Sequence, residues 1–158
     1  MPCGWRPGCW SAQGGTTGGW SLYAHEGHLT YCYNFVGARY FYTRADTPLP
    51  AGTHQVRMEF AYDGGGIGRG GTITLYVDGD QAAEGRVERT HLFIFSMDET
   101  TEIGNDAGAP VSEDYGPTGN AFTGKVAWVQ LDIAAAAHAD ADHLTATEER
   151  FRIAMAKQ

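Results

Sequence analysis

The densest chemistry in this 158-residue chain is a run of carboxylates: Asp98, Glu99, Glu102, Asp106, Glu113 and Asp114, with no Lys or Arg among them. Several carboxylates converging with backbone carbonyls would suit a hard cation such as Ca²⁺, although the spacing is not that of an EF-hand loop. A block of like charge also reads as a solvated loop. A third reading makes Asp98, Glu99, Glu102, Asp106, Asp114 and the adjoining Tyr115 the rim of a neighbouring domain's cleft. Paired carboxylates can hydrolyse glycosides, but the odd offset between Glu99 and Glu102 puts them on opposite faces of a strand.

Other reactive side chains form weaker patterns. His25 and His28 flank a tight-turn signal, and Cys3 and Cys9 could pair or could share a metal with them. Their spacing matches no usual zinc pattern. Cys32 falls inside an apolar run and reads as a small buried hydrophobe. His54, His91, His138 and His143 are scattered, and none is paired in sequence with a nucleophile and an orienting acid. No metal site is therefore assigned. The glycine loop 63–71 lacks the Gly-Lys-Ser/Thr ending and the following helix of a phosphate cradle, so it reads as a flexible connection. Trp20, Tyr31, Tyr33 and Trp128 are candidates for stacking on a sugar ring, which would make the chain a free-standing, lectin-like module. Their period-two placement also suits a core.

A formal charge of −8 and a pI near 5.1 set the field around these residues. It repels nucleic-acid phosphates, anionic headgroups and free sulfate esters, so neither nucleic acid nor a membrane is an expected partner. No run approaches the roughly 20 apolar residues of a membrane helix. Met1–Gln13 lacks the apolar core of a signal peptide, which leaves cytoplasmic as the default compartment.

The elements that must hold these residues alternate at period two. Ser21–His25 and His28–Phe35 flank Glu26-Gly27, and in the second Leu29, Tyr31, Tyr33 and Phe35 share one face while Thr30, Cys32 and Asn34 share the other. Val56, Met58, Phe60 and Tyr62 align similarly, as do Ile73, Leu75 and Val77 before a second turn signal at Asp78-Gly79. Leu92–Phe95 is apolar throughout, and Lys125–Ile133 alternates again. Glycine, at 22 residues, is far above its usual share of about 7%, as short strands with tight turns require. This pattern predicts an all-β antiparallel sandwich or jelly roll. The organisation expected is an irregular lead-in over 1–17, a sandwich over 18–133, and an Ala/Asp linker with a C-terminal helix over 134–158. The helix is announced by the capping-box pattern Thr145-Ala146-Thr147-Glu148, with Leu144, Phe151 and Met155 at helical spacing.

Read in order, the strands and turns resemble the C-terminal domain of bacterial arylsulfatases. The likeness runs through Gly18-Gly19-Trp20-Ser21-Leu22-Tyr23, Tyr31-Cys32-Tyr33-Asn34-Phe35, Leu49-Pro50-Ala51-Gly52-Thr53-His54 and Phe60-Ala61-Tyr62-Asp63-Gly64-Gly65-Gly66. It continues through Leu75-Tyr76-Val77-Asp78-Gly79, Gly85-Arg86-Val87-Glu88-Arg89-Thr90, Ile103-Gly104-Asn105-Asp106 to Pro110-Val111, Asp114-Tyr115-Gly116 and Phe122-Thr123-Gly124-Lys125. The resemblance implies a concanavalin-A-like accessory sandwich behind a sulfatase catalytic domain, in cis or on a separate chain. In that family a Cys or Ser of a Cys/Ser-x-Pro/Ala-x-Arg motif becomes formylglycine beside a divalent cation such as Ca²⁺. Cys3, Cys9 and Cys32 are followed at +4 by Pro7, Gln13 and Val36, and Ser11, Ser21, Ser96 and Ser112 have no Arg at +4 either. The chain by itself is thus expected to be no enzyme and to need no cofactor, as a separately encoded fragment or truncated gene product would. Exposed apolar surface is expected where a catalytic domain would pack, and with it scope for self-association.

Overall fold

A computed structural model describes residues 8–92, 100–132 and 153–155. Its strands are β1 (Gly8–Gly15), β2 (Gly18–His25), β3 (His28–Phe35), β4 (Arg39–Arg44), β5 (Val56–Tyr62), β6 (Gly71–Val77), β7 (Asp80–Val87), β8 (Thr101–Ile103), β9 (Val129–Leu131) and β10 (Ile153–Met155). They form a five-stranded sheet ordered β4-β3-β2-β1-β8, a three-stranded sheet ordered β5-β6-β7, and a small β9-β10 ladder. Every ladder is antiparallel. The described residues hold no helix.

The turns form where the residue types demand it. Glu26 and Gly27 take φ 50° and 83°, and Asp78 and Gly79 take 53° and 93°. Positive φ at both central residues is the two-residue hairpin geometry whose twist matches the flanking strands. It sets His25 opposite His28 and Val77 opposite Asp80. Once register is fixed, alternation decides the faces. Leu29, Tyr31 and Tyr33 of β3 pack with Ile73 and Leu75 of β6 and with Val87, Ala45 and Leu49, so the two sheets share one core in sandwich-like fashion. Trp20, Leu22, Met58 and Val77 pack on its margin. The opposite face of β3 is buried as well: Thr30, Cys32 and Asn34 are each 0% exposed.

Three expectations need correction. The lead-in is not irregular over Gly8–Gly15, because β1 lies inside the five-stranded sheet between β2 and β8. Its sequence, GCWSAQGG, carries no β-branched residue. Pairing on both sides, rather than intrinsic propensity, makes it a strand. Of the strand expected over Lys125–Ile133, the described residues pair only over Val129–Leu131, as β9. Ile153–Met155, expected inside a helix, pairs with β9 instead. Phe151, Ile153 and Met155 also satisfy period two, and a ladder partner decides between the periods. The capping-box residues and the linker lie outside the described residues, as do most of the apolar run 92–95 and the first seven residues.

The sheets come closest where β7 meets β4. A Cβ built on Gly85 would stand 2.0 Å from Thr43 Oγ1 and 2.9 Å from Thr43 Cβ, so only glycine admits this approach. Gly85→Ala is expected to cost about 1–3 kcal/mol as overpacking, and Gly85→Ala with Thr43→Ala to recover much of it. Urea unfolding of the three variants checks this. Equal stability of wild type and Gly85→Ala would show that the sheets are not in register here.

Candidate functional site

Two places concentrate polar or aromatic side chains. One is the cover over the far face of the five-stranded sheet, and the other is a cleft at the open margin between the sheets.

The cover is the acidic stretch. From Gly104 the chain runs back across β1–β3: the Gly104 N–H donates to the Trp10 carbonyl, Cys9 N–H to the Asn120 carbonyl, and Phe122 N–H to the Gly104 carbonyl. Cys9, Ala12, Tyr23 and Cys32 from the sheet and Val111 and Tyr115 from the cover form a second buried cluster, with Tyr23 and Tyr115 edge-on at 5.0 Å. Asp106, 1% exposed, organises it. Its Oδ2 accepts the Val111 N–H at 2.9 Å and the Tyr115 hydroxyl at 2.5 Å. Asn120 bridges the backbone of Asp106, accepting its N–H at 3.0 Å and donating to its carbonyl at 2.6 Å. Burial pushes the Asp106 carboxyl above its ordinary range and Glu102 adds to that, while the two hydrogen bonds pull the other way.

Asp114 is a second clamp, nearer the surface. Its Oδ2 accepts the Tyr23 hydroxyl at 2.5 Å and Arg44 Nη2 at 2.8 Å, and His25 Nδ1 lies 3.9 Å away. Ser112 Oγ sits 2.9 Å from the Tyr23 hydroxyl and accepts the Asp114 N–H. Tyr23 and Tyr115 are held neutral by burial first, with carboxylate acceptors adding to the effect.

Of the acidic residues singled out from the sequence, Asp106, Asp114 and Tyr115 therefore come together, but around the sheet and each other. Glu102, in β8, accepts the Ala107 N–H at 2.5 Å. Asp98 and Glu99 lie outside the described residues. Among the described residues no group of three or more His, Cys, Asp or Glu is placed to hold a metal ion. Cys9 and Cys32 are free thiols. Burial raises both to about 12, with Asp106 and Glu102 adding at Cys9. His28 Nδ1 meets the Ala45 carbonyl at 2.8 Å, which commits that ring to the fold.

The cleft has a volume of about 280 Å³ and is lined by Trp20, Tyr31, Tyr33, Met58, Phe60, Tyr62, Thr90 and His91. Three of the four candidate stacking residues thus share one place. Trp128, 53% exposed, is not among the lining residues. The Trp20 and Tyr31 rings lie 18° from parallel with centroids 6.4 Å apart, and Trp20 Nε1 donates to Gln13 Oε1. Phe60 and Tyr62 were legible only as one face of a strand. His91 carried no motif at all, yet it organises one end. Its N–H donates to the Tyr33 hydroxyl at 2.8 Å, and its Nε2 lies 3.2 Å from the Val36 N–H. Val36 sits at φ 52°, a conformation that a β-branched residue rarely adopts.

Compared with protein-family models, with curated proteins and with solved structures, the chain matches none. No helix among the described residues is long and apolar enough to cross a membrane.

Two outcomes are expected. Asp106→Asn keeps an acceptor for Val111 and Tyr115 and removes the buried charge, whereas Asp106→Ala strands both donors at about 1–3 kcal/mol. A carboxyl raised by folding contributes stability below its unfolded pKa and loses it as pH rises through the folded value. Asp106→Asn should therefore gain on wild type between pH 4 and pH 7 in urea unfolding, and a constant difference would remove the buried charge from the account. For the thiols, a Cys3→Ser variant should show no group reactive to Ellman's reagent at pH 8 when folded and two in denaturant, since only the thiolate reacts. A fast-reacting thiol in the folded state would contradict the burial of Cys9 and Cys32.

Proposed function

We propose that this chain is a non-catalytic, concanavalin-A-like jelly-roll domain of an arylsulfatase-type sulfuric ester hydrolase, supporting or rimming the active site of a separate catalytic domain. One observation carries the reading. The stretch Ile103 to Lys125, part of the resemblance, is a cover in which Asp114 binds Tyr23 and Arg44 of the sheet while Asp106 binds Val111 and Tyr115 of the cover itself. An acidic segment spent on its own packing suits a scaffold. The formylglycine nucleophile and its divalent cation then belong to the partner domain, where the cation would stabilise charge at sulfur. Any contribution to a rim falls to the surface trio Arg44, Asp114 and His25, which lies at one end of the β2–β3 hairpin.

A second reading, a free-standing carbohydrate-binding module, is favoured by the gathering of Trp20, Tyr31 and Tyr33 in one cleft. The hydroxyls around that cleft are largely occupied by protein partners, which weighs against it.

The decisive experiment mixes the chain with a catalytic domain of this sulfatase type expressed without its C-terminal region. The chain alone should give no turnover of 4-nitrophenyl sulfate. In excess, at a hundredfold over Kd, it should stabilise the catalytic domain by about 2.7 kcal/mol and raise its turnover. Hydrolysis by the isolated chain, or failure of the two to associate, would overturn the proposal.

A further inference from the structure

We propose that the cleft between β2, β3 and β5 is an aromatic cage for a small alkylated ammonium cation. This goes beyond the accessory role and stands or falls separately from it.

Five aromatic residues line the space: Trp20, Phe60 and Tyr62 keep exposed surface, and Tyr31 and Tyr33, 3% and 4% exposed, form its floor against the core. Phe60 and Tyr62 meet at 61°, and Trp20 and Tyr31 lie 18° from parallel. A volume of about 280 Å³ lies at the lower bound of small-molecule sites, near 300 Å³, and suits one head group.

The polar atoms decide the class of ligand. The Tyr62 hydroxyl donates to the Gly66 carbonyl at 2.5 Å and accepts the Arg69 N–H at 2.9 Å. The Thr90 hydroxyl donates to the Arg69 carbonyl at 2.7 Å, and the Tyr33 hydroxyl accepts the His91 N–H. A sugar must find partners for its hydroxyls, and each one desolvated without a partner is costly. A quaternary ammonium needs no hydrogen bond. It needs ring faces, whose negative quadrupoles attract it, best at Trp. The formal charge of −8 concentrates cations at the surface and depletes anions. His91 is the one basic side chain among the lining residues.

The test uses the full chain at pH 8, with choline as probe and its neutral carbon isostere 3,3-dimethylbutan-1-ol as control, read by calorimetry and by the Trp20 indole resonance. Choline should bind saturably and about 2- to 30-fold more tightly than the isostere, the span of a cation–π contribution. Phe60→Ala, which removes a ring that is already 38% exposed, should weaken choline binding while leaving the circular dichroism spectrum unchanged. Trp20→Ala should weaken it further, and Phe60→Ala keeps the test valid if that variant fails to fold. Equal affinity for choline and the isostere would reduce the cleft to an apolar groove. Binding of a neutral monosaccharide without choline would make it a carbohydrate site. No saturable choline binding would end the proposal. None of these results bears on association with a sulfatase catalytic domain.

Discussion

The structure depends on covering both faces of one sheet. β3 runs buried from Leu29 to Asn34, which commits its aromatic face and its polar face alike to the interior. The aromatic face is covered by apolar packing that tolerates approximate geometry. The polar face carries Thr30, Cys32 and Asn34 and adjoins Ser21 and Tyr23 of β2, so whatever lies on it must bring hydrogen-bonding partners as well as volume. The 104–122 segment meets part of that requirement, with Ser112 and Asp114 at the Tyr23 hydroxyl and the Asn120 carbonyl at the Cys9 N–H, while Thr30 and Asn34 find their partners in the sheet and its turns.

The same requirement reaches the sheet's ends. Asn34, fully buried, donates to the Gly15 and Thr16 carbonyls and accepts the Gly37 N–H at 2.8 Å. One amide thus ties the β1–β2 turn to the β3–β4 turn. At the opposite end Asp114 joins Tyr23 of β2 to Arg44 of β4 across β3. Buried polar groups of this kind specify which strands lie side by side, since a register slip would leave each of them unpaired.

What the sequence made legible follows from which interactions are local. The turns at Glu26-Gly27 and Asp78-Gly79, and the faces of β3, β5 and β6, depend on neighbours in the chain and could be read from spacing. β1 could not, because Gly8–Gly15 is a strand only by virtue of β2 on one side and β8 on the other. The acidic stretch was conspicuous, but charge alone does not tell whether a carboxylate faces solvent, a metal ion or a tyrosine hydroxyl 2.5 Å away. Trp20 and Trp128 looked equivalent as single residues. Only the packing of the second sheet places one in a cleft and leaves the other outside it.

The cleft itself is a consequence of unequal sheets. Gly85 against Thr43 sets β7 beside β4, and Ile73 and Leu75 lay β6 over β3, which brings β5 toward β2 while β1 reaches the shared core through Trp10. Residues of β2 and β5 at the margin between the sheets keep the aromatic character of a core without the contacts to complete one: Phe60 is part of the inward face of its strand and is still 38% exposed. Filling the margin with aliphatic side chains would close it at no cost in pattern. Rings remain there instead, braced by hydrogen bonds from His91 and Arg69, and a braced space is what a ligand with no hydrogen bonds to offer requires.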